Sequence, residues 1–406
     1  MKYLKTATLA AALLGGSALG AQAQELHFIM CGGEVRPADQ TVIDQFQKDN
    51  PGVTVNMEAV PWGTCQDKSL TLAAAGDPPS IAYMGSRTLK QLANNDLIVP
   101  VEISAEQQAL YQPGVLQTVS SGGQLWGYPH AFSTKALYMN CDLIEKAGME
   151  CKGPETWADL IKMAQTVKDQ LGIAGIGLAG KDFDNTMHQF LNFLYSDGGQ
   201  VINADTGEVL LDSPQTREVL ELYKALTPLA EEGPTAWERD QLKDLFNDGK
   251  IAMYVNGPWG RGQHNADIHQ LVAPIPHGPS GPSGTILITD SIVVFKQHDH
   301  PEVQAMAQKL AQALTTGAAQ YDLDQSWGLT PIYQYEKMGI DKPFYQDDPF
   351  WQVFVDGIHT GGPEPLVVDF KSLQSVFTNM VQGVMLNDDT IDNLATKAGE
   401  ELAAIK

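Results

Sequence analysis

Strand-like and helix-like segments alternate along nearly the whole chain, and that alternation confines it to the α/β class. Leu26–Met30 is a short apolar run. From Pro37 a helical period follows, with Val42, Ile43 and Phe46 on one face. Val53, Val55, Met57 and Ala59 then repeat at every second position, which is a strand period. Strand, helix, strand at this spacing predicts a βαβ unit and a parallel sheet. Thr156 is a good N-cap for a helix carrying Trp157, Leu160, Ile161, Ala164 and Val167 on one face. Ser213-Pro214 starts another helix, with Val219, Leu222, Tyr223 and Leu226 inward, and Pro301 a third. Between the helices lie β-like runs at Ile81–Met84, Ile173–Leu178, Ile251–Val255 and Ile286–Phe295.

The chain has 406 residues, which at ordinary domain size predicts two domains. Glycine and proline cluster at 278–284 (GPSGPSG) and 361–365 (GGPEP), as loops or turns between domains. The 26 Lys+Arg face 49 Asp+Glu, a formal charge of −23, which argues against nucleic acid or an anionic membrane surface as partner. With 43% hydrophobic residues the chain has material for real cores.

Lys2 and Lys5, the apolar run Ala7–Leu14 and the small-residue site Ala21-Gln22-Ala23 follow the order of a secretory signal peptide. The run is shorter than the ~20 residues that span a bilayer. Cleavage after Ala23 starts the mature chain at Gln24, and no cysteine follows the site to carry a lipid, so the expected location is the periplasm. An exported chain meets an oxidising compartment, where an even cysteine count favours disulfides. Three pairings of Cys31, Cys65, Cys141 and Cys151 exist. Cys141 and Cys151 close a short local loop. Cys31 ends one strand and Cys65 lies just after the next, so those two bonds are expected.

No nucleophile elbow, zincin helix, phosphate loop or dinucleotide fingerprint is present. No two carboxylates single themselves out as a glycosidase pair, so catalysis, metals and cofactors are not expected. His298-Asp299-His300 reads as a solvated loop. Tryptophans beside turn residues stand out instead: Trp62 in VPWGTC, Trp126 in LWGYPH, Trp259 in NGPWGRG and Trp327 in SWGLTP. An indole on a loop can cover the flat CH face of a sugar while polar groups bind its hydroxyls.

These segments carry a resemblance. IDQFQKDNPGVTV, LTLAAAGDPPSIAYM, LANNDLIVPV, GYPHAFSTKALYMNCDLIEKAGM, ETWADL, FNDGKIAMYVNGPWG, LVAPIPHG and DDTIDNLATKAGEEL occur in that order. The chain resembles the solute-binding proteins of bacterial ABC importers, in the carbohydrate-binding branch that includes maltose-binding protein. The most specific piece holds Phe246, Gly249, Ala252, Met253 and Asn256-Gly257-Pro258-Trp259.

The resemblance implies two α/β lobes with a ligand cleft between them and three crossings, near Ala131–Thr134, Thr285–Leu287 and Asp356–Gly362. Lobe 1 is then 24–131 plus 288–356, and lobe 2 is 135–284 plus 362–406. It also implies a monomer that closes over a solute and docks on an inner-membrane permease. By matching position, Trp259 is the stacking tryptophan and Trp327 a second candidate. Glu34 follows the first strand, and Ser86 and Arg87 follow the third. Ser133 and His130 sit at the first crossing. His188 falls near a stacking tyrosine, and Asp290 in LITDSIVV stands where the family often has glycine. Arg261 and Asp182 complete the set. Arg87 stands where the maltose branch has a carboxylate, which argues against a maltodextrin. Arg87 and Arg261 leave room for an anionic glycoside, a sulfonated sugar or a glycerol phosphoester. Glu34, Asp290 and the aromatics leave room for a cationic solute. A reading from another class, an exported glycan hydrolase, requires turnover.

Overall fold

A computed structural model describes residues 24–203, 206–341 and 343–405. The expected signal peptide, residues 1–23, lies outside the described residues. The chain starts with β1 (Gln24–Cys31), α1 (Pro37–Asp49), β2 (Val53–Val60), α2 (Trp62–Ala74) and β3 (Ile81–Gly85). Strands β4 (Tyr128–Ser133) and β5 (Ala136–Asn140) follow, then α3 (Trp157–Leu171), α4 (Asp184–Tyr195) and α5 (Pro214–Leu226). Next come β6 (Met253–Asn256), β7 (Gln270–Ala273) and the long β8 (Thr285–Val294). The chain ends with α6 (Pro301–Leu314), α7 (Gly317–Trp327), β9 (Gly361–Pro363), α8 (Phe370–Leu386) and α9 (Ile391–Ile405).

The first sheet runs β9-β8-β3-β1-β2, with β4 also paired to β8. The expected βαβ unit is present: β1 pairs in parallel with both β2 and β3. Strand β2 lies at the edge and alternates in burial, whereas all of β3 is buried. Those are the patterns that an edge strand and an interior parallel strand require. Strand β8 runs antiparallel to β3 and β4, so the sheet is mixed.

The second sheet differs from the parallel expectation. Its strands β6-β5-β7 are antiparallel. The run expected at Ile173–Leu178 makes only isolated bridges, Ala174 to Ile251 and Ile176 to Ala230. Gly175 explains part of this, because a Cβ there would collide with the backbone of Ala164 in α3. The segment is pressed against a helix rather than laid into a regular ladder.

Two large cores result. One gathers Leu26, Phe28, Ile81, Met84, Val293 and Leu310 around the first sheet. The other gathers Leu137, Leu160, Phe190, Phe193, Tyr223 and Phe377 around the second. Strand β8 serves both: Ile286 and Ile288 enter the second core, and Leu287 and Ile292 the first. The helix starts follow the sequence signals. Thr156 and Asp159 form a capping box, Ser213 accepts from Thr216 N, and Pro301 opens α6. Among the described residues no helix is long and apolar enough to cross a membrane.

Both expected disulfides form, Cys31–Cys65 and Cys141–Cys151. The first ties the end of β1 to the first turn of α2 across a separation of 34 residues; the second spans 10. Loop-closure entropy assigns them about 4 and about 3 kcal/mol. Removing Cys31–Cys65 by a double serine substitution is therefore expected to cost more stability than removing Cys141–Cys151. Urea unfolding of the two variants checks this, and the reverse order contradicts it.

Candidate functional site

The site grows from the carboxyl ends of the first sheet, where open α/β sheets present their crevice. Strand β1 ends in Gly32-Gly33, whose φ values of +128° and +77° let the chain turn sharply to Glu34 and Arg36. Strand β3 ends at Gly85, followed by the single turn Ser86-Arg87-Thr88. A Cβ on Gly85 would strike the Arg87 guanidinium, so glycine allows that side chain to fold across the strand end. Opposite Gly85 in the register stands Asp290 of β8. The ladder between β8 and β4 shifts between Asp290 and Ser291, and such irregularities re-aim side chains. Ser86 and Ser291 share a hydroxyl hydrogen bond of 2.9 Å beside it.

Arg87 is 2% exposed and meets three carboxylates. Its Nη2 donates to Asp184 Oδ2 at 2.8 Å, and Nη1 lies 3.5 Å from Asp290 Oδ1 and 3.7 Å from Glu364 Oε1. Burial opposes its charge, but Glu364, Asp184 and Asp290 together push its proton affinity above the ordinary arginine value. Burial also works against ionised Asp184, yet Arg87 beside it wins and holds that carboxyl below its usual range. Asp290 goes the other way. Burial pushes it up to about 6 against the pull of Arg87. Tyr83 donates to Asp290 Oδ2 at 3.1 Å, and His188 Nε2 lies 2.6 Å from Glu364 Oε1. Arg87 Nε, Asp290 Oδ1 and Glu364 Oε2 are buried without a hydrogen-bond partner among the described residues.

The tryptophans have cations on their faces. Lys135 Nζ stands 4.2 Å and Arg239 Cζ 5.2 Å from the ring of Trp259. Arg36 Cζ stands 3.0 Å from the ring of Trp327. Trp62 and Trp327 both meet Tyr83, at 5.6 and 6.0 Å between centroids. Neither is a loop residue as expected: Trp62 opens α2 and Trp327 closes α7. Trp126 donates its indole N–H to Ser121 O and packs on the first core.

The structure thus brings Ser86, Arg87, Asp290 and His188 into one buried cluster. Ser133 accepts from Lys135 Nζ at 3.0 Å, which places it beside Trp259. His130 is fully buried; its Nε2 lies 3.2 Å from Asp39 Oδ1 without hydrogen-bond geometry. Glu34 is exposed on its loop. Two expected residues are not drawn in. Arg261 pairs with Asp348 and lies over Phe350, and exposed Asp182 accepts from Gln374. Arg87, expected to be free for an anion, is instead occupied by carboxylates. Asp184, Glu364, Lys135, Arg239, Tyr83 and Arg36 were not singled out by sequence. Glu364 sits inside the GGPEP cluster, and Tyr83 and Lys135 sit inside segments that carry the resemblance, so these three had a signal. Among the described residues no group of three or more His, Cys, Asp or Glu side chains is arranged to hold a metal ion. A broad open groove, lined by Trp157, Arg217, Glu218 and Asp392, shares none of these residues.

Comparison with known proteins fits this geometry. Residues 32–321 match the family model of the bacterial extracellular solute-binding proteins. A Brucella abortus chain named as a binding protein is 27% identical over 377 residues, covering 91% of this chain and 90% of that one. The Escherichia coli K12 ABC transporter periplasmic-binding protein YcjN is 29% identical over 221 residues, 53% of this chain and 50% of its own. Among solved structures, maltose-bound MalE3 of T. maritima superposes with a TM-score of 0.80 at 22% identity, over 94% of this chain and 99% of that one.

Removing Arg87 leaves buried carboxylates facing one another from elements of both cores, at a cost of several kcal/mol. Opening the lobes to water relieves it. Arg87→Met is therefore expected to enlarge the ligand-free protein, read as a larger radius of gyration by small-angle scattering at pH 8. Burial pushes Asp290 up to about 6 even beside Arg87, and loss of Arg87 raises it further, so acid removes part of the repulsion and the swelling shrinks at pH 5. An unchanged radius at both pH values contradicts this account of the cluster.

Proposed function

The chain belongs to the family of bacterial extracellular solute-binding proteins, and from that premise we propose that it captures a sugar-like solute for an ABC importer. The solute is a sugar, small oligosaccharide or sugar derivative. The observation that carries this reading is the cluster around Arg87. Donors and acceptors from both cores converge there, three of their atoms lack a hydrogen-bond partner among the described residues, and Trp259 stands close to Ser133 and Lys135. Hydroxyl groups can both donate and accept, so a polyol suits a cluster with open valences of both kinds. The maltose in the MalE3 structure and the ABC transporter named for YcjN support the same class.

In this reading the lobes are 24–131 plus 288–356 and 135–284 plus 362–406, hinged near 131–134, 285–287 and 356–362. The solute enters the open cleft, touches both lobes and stabilises the closed form by its differential affinity. No bond is broken. Asp184 and Asp290 are engaged with Arg87 and act as acceptors. The protein acts in the periplasm as a monomer after loss of residues 1–23, and the permease reads the closed shape.

A thermal-shift screen of the mature protein against sugars, polyols, sugar acids and amines tests the reading, because a ligand specific to the folded state raises the melting point. One saturable ligand class is expected, and no shift across the panel with stripped protein contradicts it. Trp259→Ala is expected to weaken that ligand by roughly tenfold or more with the circular dichroism unchanged. Unchanged affinity removes the stacking role.

A further inference from the structure

We propose that Lys135 and Arg239 form an anion-receiving end of the cleft, so that the solute is a hydroxylated skeleton carrying a carboxylate, sulfonate or phosphate. This rests on the solute-capture reading and deepens it. Sequence alone pointed to Arg87 and Arg261 for such a role, but Arg87 is surrounded by Asp184, Asp290 and Glu364 and Arg261 pairs with Asp348. Lys135 is its opposite. It is 5% exposed, and among the described residues its ammonium donates to one neutral group, Ser133 Oγ at 3.0 Å, with no ion pair. The second cation converges on the same indole, with Lys135 Nζ at 4.2 Å and Arg239 Cζ at 5.2 Å from the Trp259 ring.

Arg239 has one carboxylate partner, Asp240 at 2.9 Å through Nη2, and its Nε is buried with no hydrogen-bond partner among the described residues. Both cations line one small cavity of about 20 Å³, together with Asn185, His188, Gln189 and Asn192. The amides there are committed elsewhere. Asn185 donates to Glu238, Gln189 accepts from Ala179 N, and Asn192 donates to His188 O and accepts from Ile286 N. Each of these amides thus already has a partner, and the two cations are the charged donors at this end. Burial and the neighbouring Arg239 drive the Lys135 ammonium well below its ordinary proton affinity, and the more distant carboxylates only partly offset this. Two cations facing a cavity without an anion between them are repelled by each other and poorly solvated. An oxyanion between them cures both conditions, and charge-assisted bonds are the strong ones.

The test uses mature protein, unfolded with its disulfides intact, dialysed and refolded to remove any trapped solute. The buffer is free of phosphate and sulfonate. Calorimetry compares glucose with glucuronate, glucose 6-phosphate and 6-deoxy-6-sulfoglucose, and glycerol with glycerol 3-phosphate. At least one anionic member is expected to bind about tenfold or more tighter than its neutral parent. The ratio between the two is expected to fall about tenfold in Arg239→Gln and in Lys135→Met, and to survive in Lys135→Arg. Which oxyanion wins distinguishes carboxylate, phosphate and sulfonate. Arg239, being partly exposed, provides the test if Lys135→Met fails to fold. A neutral sugar or an amine that binds as well as every anion overturns the inference and leaves solute capture standing. An anion preference retained in both charge-removing variants overturns it too. No binding of any sugar, charged or neutral, refutes the capture reading and this inference with it.

Discussion

Arg87 is almost wholly buried, and a guanidinium taken out of water costs several kcal/mol unless carboxylates meet it. The chain meets it three times, with Asp184 from the first turn of α4, Asp290 from β8 and Glu364 just after β9. The start of α4 already favours a negative side chain through the helix dipole, so Asp184 is doubly placed. Such clusters add little net stability compared with an apolar core, but they tolerate almost no displacement. The contact therefore fixes how α4 and the segment after β9 sit against the end of β3. The cluster continues through Tyr83 on one side and His188 on the other, so a disturbance at one end changes the field at the other.

The sequence showed the scaffold better than the site. Helix starts are local events, and Thr156, Ser213 and Pro301 announced theirs through caps and a proline. The parallel βαβ start was legible because burial on both faces of β1 and β3 leaves apolar runs. The antiparallel second sheet was not, because strand direction depends on pairing between residues far apart, such as Leu137 with Val255. The disulfides were legible because one loop is short and the other joins the end of β1 to the helix that follows its neighbour β2.

Of the candidate residues that sequence reasoning named, Ser133 and Trp259 lie inside the ordered motifs, and Ser86, Arg87, His188 and Asp290 lie outside them. Their roles were less legible. Arg87 looked like a free anion binder because its partners lie 97 or more positions away, and nothing local marks them. Trp327 carries Arg36 at its ring, as Trp259 carries Lys135 and Arg239, and neither neighbour is marked by local sequence. Lys135 went unnoticed two residues from Ser133, since a single lysine in a β-like run most often points to solvent. Burial is what makes it informative, and burial is a property of the fold.

The placement of these groups also bears on how the cleft works. In the proposed reading Ser133 and Lys135 lie at the first crossing, Asp290 beyond the second and Glu364 just after the third, so the residues that would hold the solute sit on or next to the segments that bend. Asp290 Oδ1, Glu364 Oε2 and Arg239 Nε are buried without a hydrogen-bond partner among the described residues, and in the proposed reading closure without a solute leaves them so. Each such group costs about 1–3 kcal/mol when dry and unpaired, and nothing comparable when the lobes are open and water reaches it. Three of them together penalise the empty closed form by roughly 3–9 kcal/mol, against the favourable contacts that Arg87 makes there. A bound solute removes that penalty without changing the open form. About 5.5 kcal/mol is enough to carry a two-state equilibrium from 1:99 to 99:1. In the proposed reading the incomplete hydrogen bonding of the cluster makes closure depend on the solute, and a cluster fully satisfied by its own side chains would close regardless of it.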